Sequence, residues 1–294
     1  MTEPKRDIWA EWLLSRRSGG DSEKAKAALH NFLYPVRDKV LSHASLSDGE
    51  TLLDVGCGDG LIAFGALEKV PTSKVIFSDI SQDLLNHSQQ LAHEMGVNER
   101  CKFLRAPADN LKGIANDSID VVTTRSVLIY VSAKQKAFDE FFRVLKSNGR
   151  LSIFEPINRF GQPEAPHLFD GYDVTPIIAI AEKLKVLYSR LQPSSTDPML
   201  DFDERDLITF AEKAGFREIY LELKVQVKPP TIIGDWEAFI RVAANPKIPT
   251  LEEAMSQVLT ADEIEKFTAH LRPLVDAGQG TSRSALAYLW AVKD

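Results

Sequence analysis

The chain has 294 residues, 44% of them apolar, enough to bury a sizeable core, and its length alone allows one large domain or two. A count of 35 Lys and Arg against 42 Asp and Glu gives a formal charge of −7, which argues against a general affinity for nucleic acid or an anionic membrane. No apolar run is long enough to cross a bilayer, the opening M-T-E-P-K-R-D-I-W lacks a signal-peptide core, and Cys57 and Cys101 make no metal or redox spacing, so we expect a cytoplasmic protein without structural disulfides.

The first 47 residues read as helical. Asp7 to Arg17 carries Ile8, Trp9, Trp12 and Leu13 at helical spacing, and Ser18-Gly19-Gly20-Asp21 breaks it. A second helix, Ser22 to Leu41, has an apolar stripe of Ala25, Leu29, Phe32, Leu33, Val36 and Val40. Pro35 is expected to kink it or split it in two.

Leu52 to Val55 has the apolar character of a strand buried on both faces, and Asp54 is its one polar residue. Gly56, Gly58 and Gly60 follow at alternate positions and lead into the helical pattern Leu61 to Val70. Glycine suits a strand-to-helix turn on which a ligand lies directly against backbone. The spacing departs from the dinucleotide fingerprint G-x-G-x-x-G, because the third glycine comes one residue early. Asp54 and Asp59 would repel a pyrophosphate and attract a cation. A second strand, Val75 to Asp79, ends in an acid suited to accept two ribose hydroxyls. These residues call for a nucleoside with a cationic arm.

The run D-V-G-C-G-D-G (54–60), followed by the acid at Asp79, resembles the S-adenosylmethionine site of the class I methyltransferases. The resemblance implies a Rossmann-like α/β fold with a seven-stranded, mostly parallel sheet and an antiparallel terminal strand. It implies S-adenosyl-L-methionine as cofactor, S-adenosyl-L-homocysteine as its product, and cofactor contacts from Asp54, Gly56, Gly58, Gly60, Asp79, Ile80, Ala108, Asp109 and Arg125. In similar enzymes a helical N-terminal segment folds over the mouth of the site, where Arg16, Arg17 or Arg37 would meet a carboxylate; otherwise each is a solvated charge.

Strand and helix continue to alternate as far as Phe154. A helix from Ser81 to Met95 is stopped by Gly96, and strand three, Lys102 to Arg105, runs into Ala106-Pro107-Ala108-Asp109. Strand four is Ser118 to Thr124, and Asp120 at its start fits packing rather than catalysis. The next loop, Arg125 to Tyr130, stands where strand ends face a ligand crevice. It lacks the Asn/Asp-Pro-Pro-Tyr run that methyltransferases of amide or adenine nitrogens carry there. After a helix from Lys134 to Leu145, Arg143 to Leu151 leads into strand five; this segment resembles the ubiquinone-biosynthesis-like, small-molecule branch.

Glu155 and Asn158 follow strand five and are candidates to line an acceptor pocket or, equally, to anchor the loop. Residues 161–200 read as a lid insertion with a helix from Pro176 to Leu191, carrying His167, Asp170, Tyr172 and Asp173 in its first half. Glu204 to Gly215 is helical. Phe216 to Val227 and Ser282 to Val292 alternate like an antiparallel pair at the sheet edge. Residues 229–280 are too long for a hairpin loop and form a helical cap, with helices at Trp236 to Ala243, Leu251 to Leu259 and Ala261 to Val275, the last broken by Pro273. The core is then 48–228 with 281–294.

The expected reaction is in-line methyl transfer to oxygen, nitrogen or carbon of a small organic acceptor, which needs alignment and exclusion of water. A base is required only where the acceptor loses a proton. Candidates are His167 and Tyr130, with Glu155 or Asp170 behind them. We expect no metal, nucleic acid or membrane partner, and leave open whether the chain forms a homodimer. A protein or RNA methyltransferase and a non-catalytic cofactor-binding module are the alternatives.

Overall fold

The computed structural model describes residues 6–17, 23–230 and 235–294. Helix α1 (Ile8–Glu11) is capped by Asp7, which accepts the N–H groups of Trp9 and Ala10 at 3.0 Å each, and it widens into a π-helical turn over Trp12–Arg16. The predicted break at Ser18 to Asp21 and the side chains of Ala25 and Leu29 lie outside the described residues. Helix α2 (Glu23–Ala44) runs through Pro35 without being split. A proline removes one donor from the ladder, whereas Leu33, Val36, Val40, Leu41 and Ala44 around it are all buried.

Then β1 (Thr51–Val55), α3 (Leu61–Lys69), β2 (Lys74–Asp79), α4 (Gln82–Glu94), β3 (Cys101–Arg105), β4 (Ile119–Arg125), α5 (Lys134–Val144) and β5 (Leu145–Pro156) alternate. Strand β5 begins earlier than the sequence suggests, with its register to β4 shifting between Ile119 and Val121. The lid segment opens with a small hairpin, β6 (Leu168–Phe169) and β7 (Tyr172–Asp173), which periodicity did not reveal because each arm is two residues long. Helices α6 (Ile178–Leu191) and α7 (Glu204–Ala214), strand β8 (Glu218–Lys228), helices α8 (Trp236–Arg241), α9 (Leu251–Val258) and α10 (Ala261–Asp276), and strand β9 (Ser282–Val292) complete the chain. Pro273 was expected to break the last helix, yet α10 continues through it to Asp276, with Leu271 and Val275 buried on either side.

The seven strands lie in the order β3-β2-β1-β4-β5-β9-β8. Those from β3 to β5 are parallel, and β9 runs antiparallel to both β5 and β8. The order reverses direction at β1, which puts a crevice beyond the carboxyl ends of β1 and β4. Helices α2, α3 and α4 close one face over Leu52, Val75, Phe77 and Phe154, and α5 and α7 close the other over Leu53, Val122, Leu151 and Ile153. A third apolar cluster lies apart from the sheet. It joins α6 (Ala181, Leu184, Leu187) to α8, α9 and α10 (Trp236, Met255, Phe267, Leu271). The lid helix and the later cap helices thus share one core, although some 45 residues, including α7 and β8, separate them in the chain.

Candidate functional site

The glycine turn sits at the carboxyl end of β1, with Gly56, Gly58 and Gly60 at φ 65°, 57° and 82°, the left-handed region that side chains resist. Two of the three have packing reasons of their own. A Cβ on Gly56 would lie 2.4 Å from Val127 Cγ2, and one on Gly60 would lie 2.5 Å from the Phe64 ring. A Cβ on Gly58 would meet Leu13, which roofs the turn. Asp79, at the end of β2, is nearly buried. It accepts the Gly58 N–H through Oδ2 at 2.9 Å and the Ser81 N–H through Oδ1 at 2.8 Å. Burial pushes its pKa up, and the two N–H groups hold it partly back.

Gly56, Gly58, Asp79, Ile80, Ala108, Asp109 and Arg125 all line one cleft of about 580 Å³. Asp54 does not. It is buried beneath the turn, accepts the Thr123 hydroxyl at 2.9 Å and the Ala63 N–H at 3.2 Å, and has its pKa raised to about 7 by burial. It braces β1, β4 and α3 from beneath the turn. Gly60 is likewise interior and outside the cleft lining. Asp120 lies at the opposite end of β4, where it accepts the Thr51 N–H at 2.9 Å and pairs with Lys146 at 2.7 Å.

The loop after β4 forms the cleft's second wall. Ser126 is held at φ 56° with its N–H on Phe154 O at 2.8 Å, a left-handed, non-glycine residue beside the site. Glu155, open to reading as pocket lining or as loop anchor, is fully buried. Its carboxylate accepts the N–H groups of Val127 (2.9 Å), Leu128 (3.0 Å) and Ile129 (3.3 Å), with burial raising its pKa to about 7. It anchors this loop and faces no acceptor. His167 is exposed and Asp170 occupies the β6–β7 turn, and neither lines the cleft. Of the candidate bases only Tyr130 reaches it. Burial lifts its pKa to about 12, which leaves the hydroxyl protonated at neutral pH and fit to donate a hydrogen bond.

The roof comes from the two ends of the sequence. Trp9 and Trp12 meet the Tyr130 ring edge-on, at centroid distances of 5.0 and 6.3 Å. The Ser81 hydroxyl, which also caps α4, donates to Asp7 at 2.7 Å, and the Asp7 N–H donates to Asp83 at 2.7 Å. On the other side Trp12 Nε1 donates to Ala243 O at 2.8 Å, and the Ala243 N–H to Arg16 O at 3.2 Å. Arg17 lines the cleft under Trp12, its pKa lowered to about 10 by burial and by Arg125, so it stays charged at neutral pH. Of the other two arginines considered, Arg16 pairs with Glu253 at 2.6 Å and Arg37 with Asp38 at 2.8 Å. Sequence reasoning missed Met199 and Val242-Ala243-Ala244, which complete the lining. Small apolar residues just after a helix carry no pattern that would have marked them.

Residues 46–170 match the family model described as "Methyltransferase domain". The chain is similar to the arsenite methyltransferase of Halobacterium salinarum, with 26% identity over 66% of this chain and 44% of that protein. It is also similar to the ubiquinone/menaquinone biosynthesis C-methyltransferase UbiE of a Marinomonas species, with 31% identity over 46% of this chain and 52% of that one. The chain thus spans about half the length of these curated relatives. Among solved structures, a geranyl diphosphate methyltransferase in complex with SAM aligns over 94% of both chains at 17% identity and TM-score 0.55. A putative methyltransferase from Bacillus halodurans aligns over 87% of this chain and 98% of that one, at 20% identity and TM-score 0.54. At such identities the structural likeness speaks for the fold, a Rossmann-like seven-stranded sheet with one antiparallel strand. Residues 46–170 thus match a methyltransferase domain, and the strand order and structural likeness give the chain a Rossmann-like fold.

Proposed function

We propose that the protein is an S-adenosylmethionine-dependent methyltransferase acting on a small organic acceptor. The observation that carries this reading is the grouping of Asp79, Gly56, Gly58, Ala108 and Asp109 on one cleft wall, with the Asp79 carboxylate fixed by the Gly58 and Ser81 N–H groups. The residues fit the cofactor chemically. Asp79 would offer a ribose its remaining acceptor capacity, and Ala108 and Asp109, lining the same cleft, would offer acceptors to an adenine amino group. Asp59 Oδ1, in the glycine turn beside Gly58, is buried and finds no hydrogen-bond partner among the described residues, although Asp59 itself does not line the cleft.

The cofactor, when bound, supplies a methyl group already activated on a sulfonium. The chain's own residues align the acceptor and keep water away. Trp9, Trp12 and Tyr130 form an aromatic wall for a planar body, Tyr130 donates a hydrogen bond, and Arg17 meets a negative charge. Among the described residues, the cleft lining contains no histidine. This favours an acceptor that reacts without needing a strong base, such as an ionised oxygen or an electron-rich ring carbon.

Calorimetric titration with S-adenosylmethionine, S-adenosylhomocysteine and NAD tests the reading. Binding of the first two but not the third is expected, and failure to bind either sulfur nucleoside rejects it. Turnover on a panel of small aromatic acids and phenols then identifies the acceptor.

A further inference from the structure

Strand β8 is the outermost strand of the sheet. One side pairs with β9 along all 11 residues, and no described strand pairs with the other. Ile219, Leu221, Leu223, Val225 and Val227 point to one face, and Glu218, Tyr220, Glu222, Lys224, Gln226 and Lys228 to the other. Packing against α7 partly buries Ile219 and Leu221 in the core with Phe210 and Ala214. Leu223, Val225 and Val227 remain 37%, 47% and 57% exposed. A long, flat, apolar edge is a template for another strand unless proline, bulges or inward-pointing charges blunt it, and β8 has no proline and keeps unbroken register with β9.

The strand is also complementary to itself. Laid antiparallel on a second copy and centred on Leu223, it sets Glu218 opposite Lys228, Tyr220 opposite Gln226 and Glu222 opposite Lys224 on the polar face. On the apolar face Ile219 meets Val227, Leu221 meets Val225, and Leu223 meets Leu223. Opposite charges in directly facing positions favour a pairing and like charges oppose it. Sliding by two residues one way puts Glu222 against its own copy, and the other way Lys224 against its own copy. The centred register avoids both, and it alone sets all four charged residues of each copy against an opposite charge. Glu222 also accepts a hydrogen bond from Lys39 of its own chain, which lies over Tyr288 of β9, and its second carboxylate oxygen is left for Lys224 of the other copy. The centred register also lays the exposed Val225 and Val227 of each copy beside the covered Leu221 and Ile219 of the other.

We propose that β8 pairs antiparallel with β8 of a second copy of this chain across a two-fold axis at Leu223, joining the two sheets into one. This is an isologous interface, in which one patch serves both partners.

Sedimentation of the full chain tests the state, and cysteine cross-linking tests the register. Wild type is expected at twice the 32.8 kDa chain mass at micromolar concentration. Facing residues of an antiparallel pair have Cα atoms about 4.5 or 5.5 Å apart, inside the range of roughly 4.4–6.8 Å that a disulfide spans. Leu223→Cys should therefore form a covalent dimer on mild oxidation, and Val225→Cys and wild type should not. The double variants Glu218→Lys/Glu222→Lys and Lys224→Glu/Lys228→Glu should each be monomeric with wild-type circular dichroism, and mixing them should restore a dimer. A wild-type monomer overturns the proposal. So does a dimer in which Leu223→Cys fails to cross-link or Val225→Cys links equally well, and so do charge variants that still self-associate or fail to recombine.

Discussion

The indole N–H of Trp12 donates to the carbonyl of Ala243 at 2.8 Å, joining two residues 231 positions apart across the mouth of the cleft. With the Ala243 N–H on Arg16 O it ties the N-terminal segment to the helical cap. Trp12→Phe keeps a ring against Tyr130 and removes the donor. We predict a loss of about 1 kcal/mol in stability, with faster amide exchange confined to residues 8–17 and 242–244. Exchange unchanged there would mean that this bond does not hold the roof.

Asp79→Ala should weaken S-adenosylmethionine binding by about 1–3 kcal/mol, because it strips hydrogen-bonding groups of their partner. The Gly58 and Ser81 N–H groups lose their acceptor at the same time, so the melting temperature should fall as well. Asp79→Asn, which keeps an acceptor, should fall between the two proteins in titration calorimetry.

Gly56→Ala should be more damaging than its size suggests. The residue adopts φ 65°, which costs about 1–2 kcal/mol for an L-residue, and the new methyl would lie 2.4 Å from Val127 Cγ2. The turn and the loop after β4 must then move apart. We expect cofactor affinity to drop more than tenfold in the same titration, with the protein still folded by circular dichroism.

Glu155 gives a pH dependence with a definite sign. Burial raises its folded-state pKa to about 7, above the ordinary 4.5, so between these values the folded protein binds more protons than the unfolded one. Stability must then fall as pH rises from about 4.5 to 7 and level off above. Glu155→Gln keeps an oxygen for the Val127 and Leu128 N–H groups and removes the titration. The stability of wild type minus that of Glu155→Gln, from denaturant melts, should decline across this window. A flat difference would assign the raised pKa elsewhere.

Lys134 is buried and its Nζ donates to Val131 O (3.0 Å), Pro198 O (2.9 Å) and Asp201 (2.5 Å), fixing residues 198–201 beside the cleft. Replacing it with Met should cost about 1.5–3 kcal/mol, typical of hydrogen bonds to a charged group. Because Met199 lines the cleft, KM for the acceptor should rise more than kcat falls. Equal changes in both would point to a purely structural role.

The sheet and its order of elements were legible because buried parallel strands read as apolar runs separated by amphipathic helices, as in Leu52 to Val55 and Val75 to Asp79. The glycine turn and Asp79 stood out because turns and buried acids constrain residue type. Side-chain direction was not legible. Asp54 and Glu155 sit at strand ends near the crevice, as ligand-facing acids do, but their carboxylates turn inward onto Thr123, Ala63 and the loop after β4. Neither helix-internal proline ends its helix, because tertiary burial outweighs one lost backbone bond. His167 drew attention by residue type alone, and a lone histidine carries no direction.

The roof holds together through its own cluster around Trp236, Met255, Phe267 and Leu271, separate from the apolar layers that sandwich the sheet. Exchanging Val242 or Ala244 for larger or smaller side chains therefore reshapes the chamber above the glycine turn while the β-layer stays intact, whereas Met199 packs against the sheet's own cluster. Under the proposed function, choice of acceptor would be free to drift in a lineage of related chains while the wall that carries Asp79 stays constant.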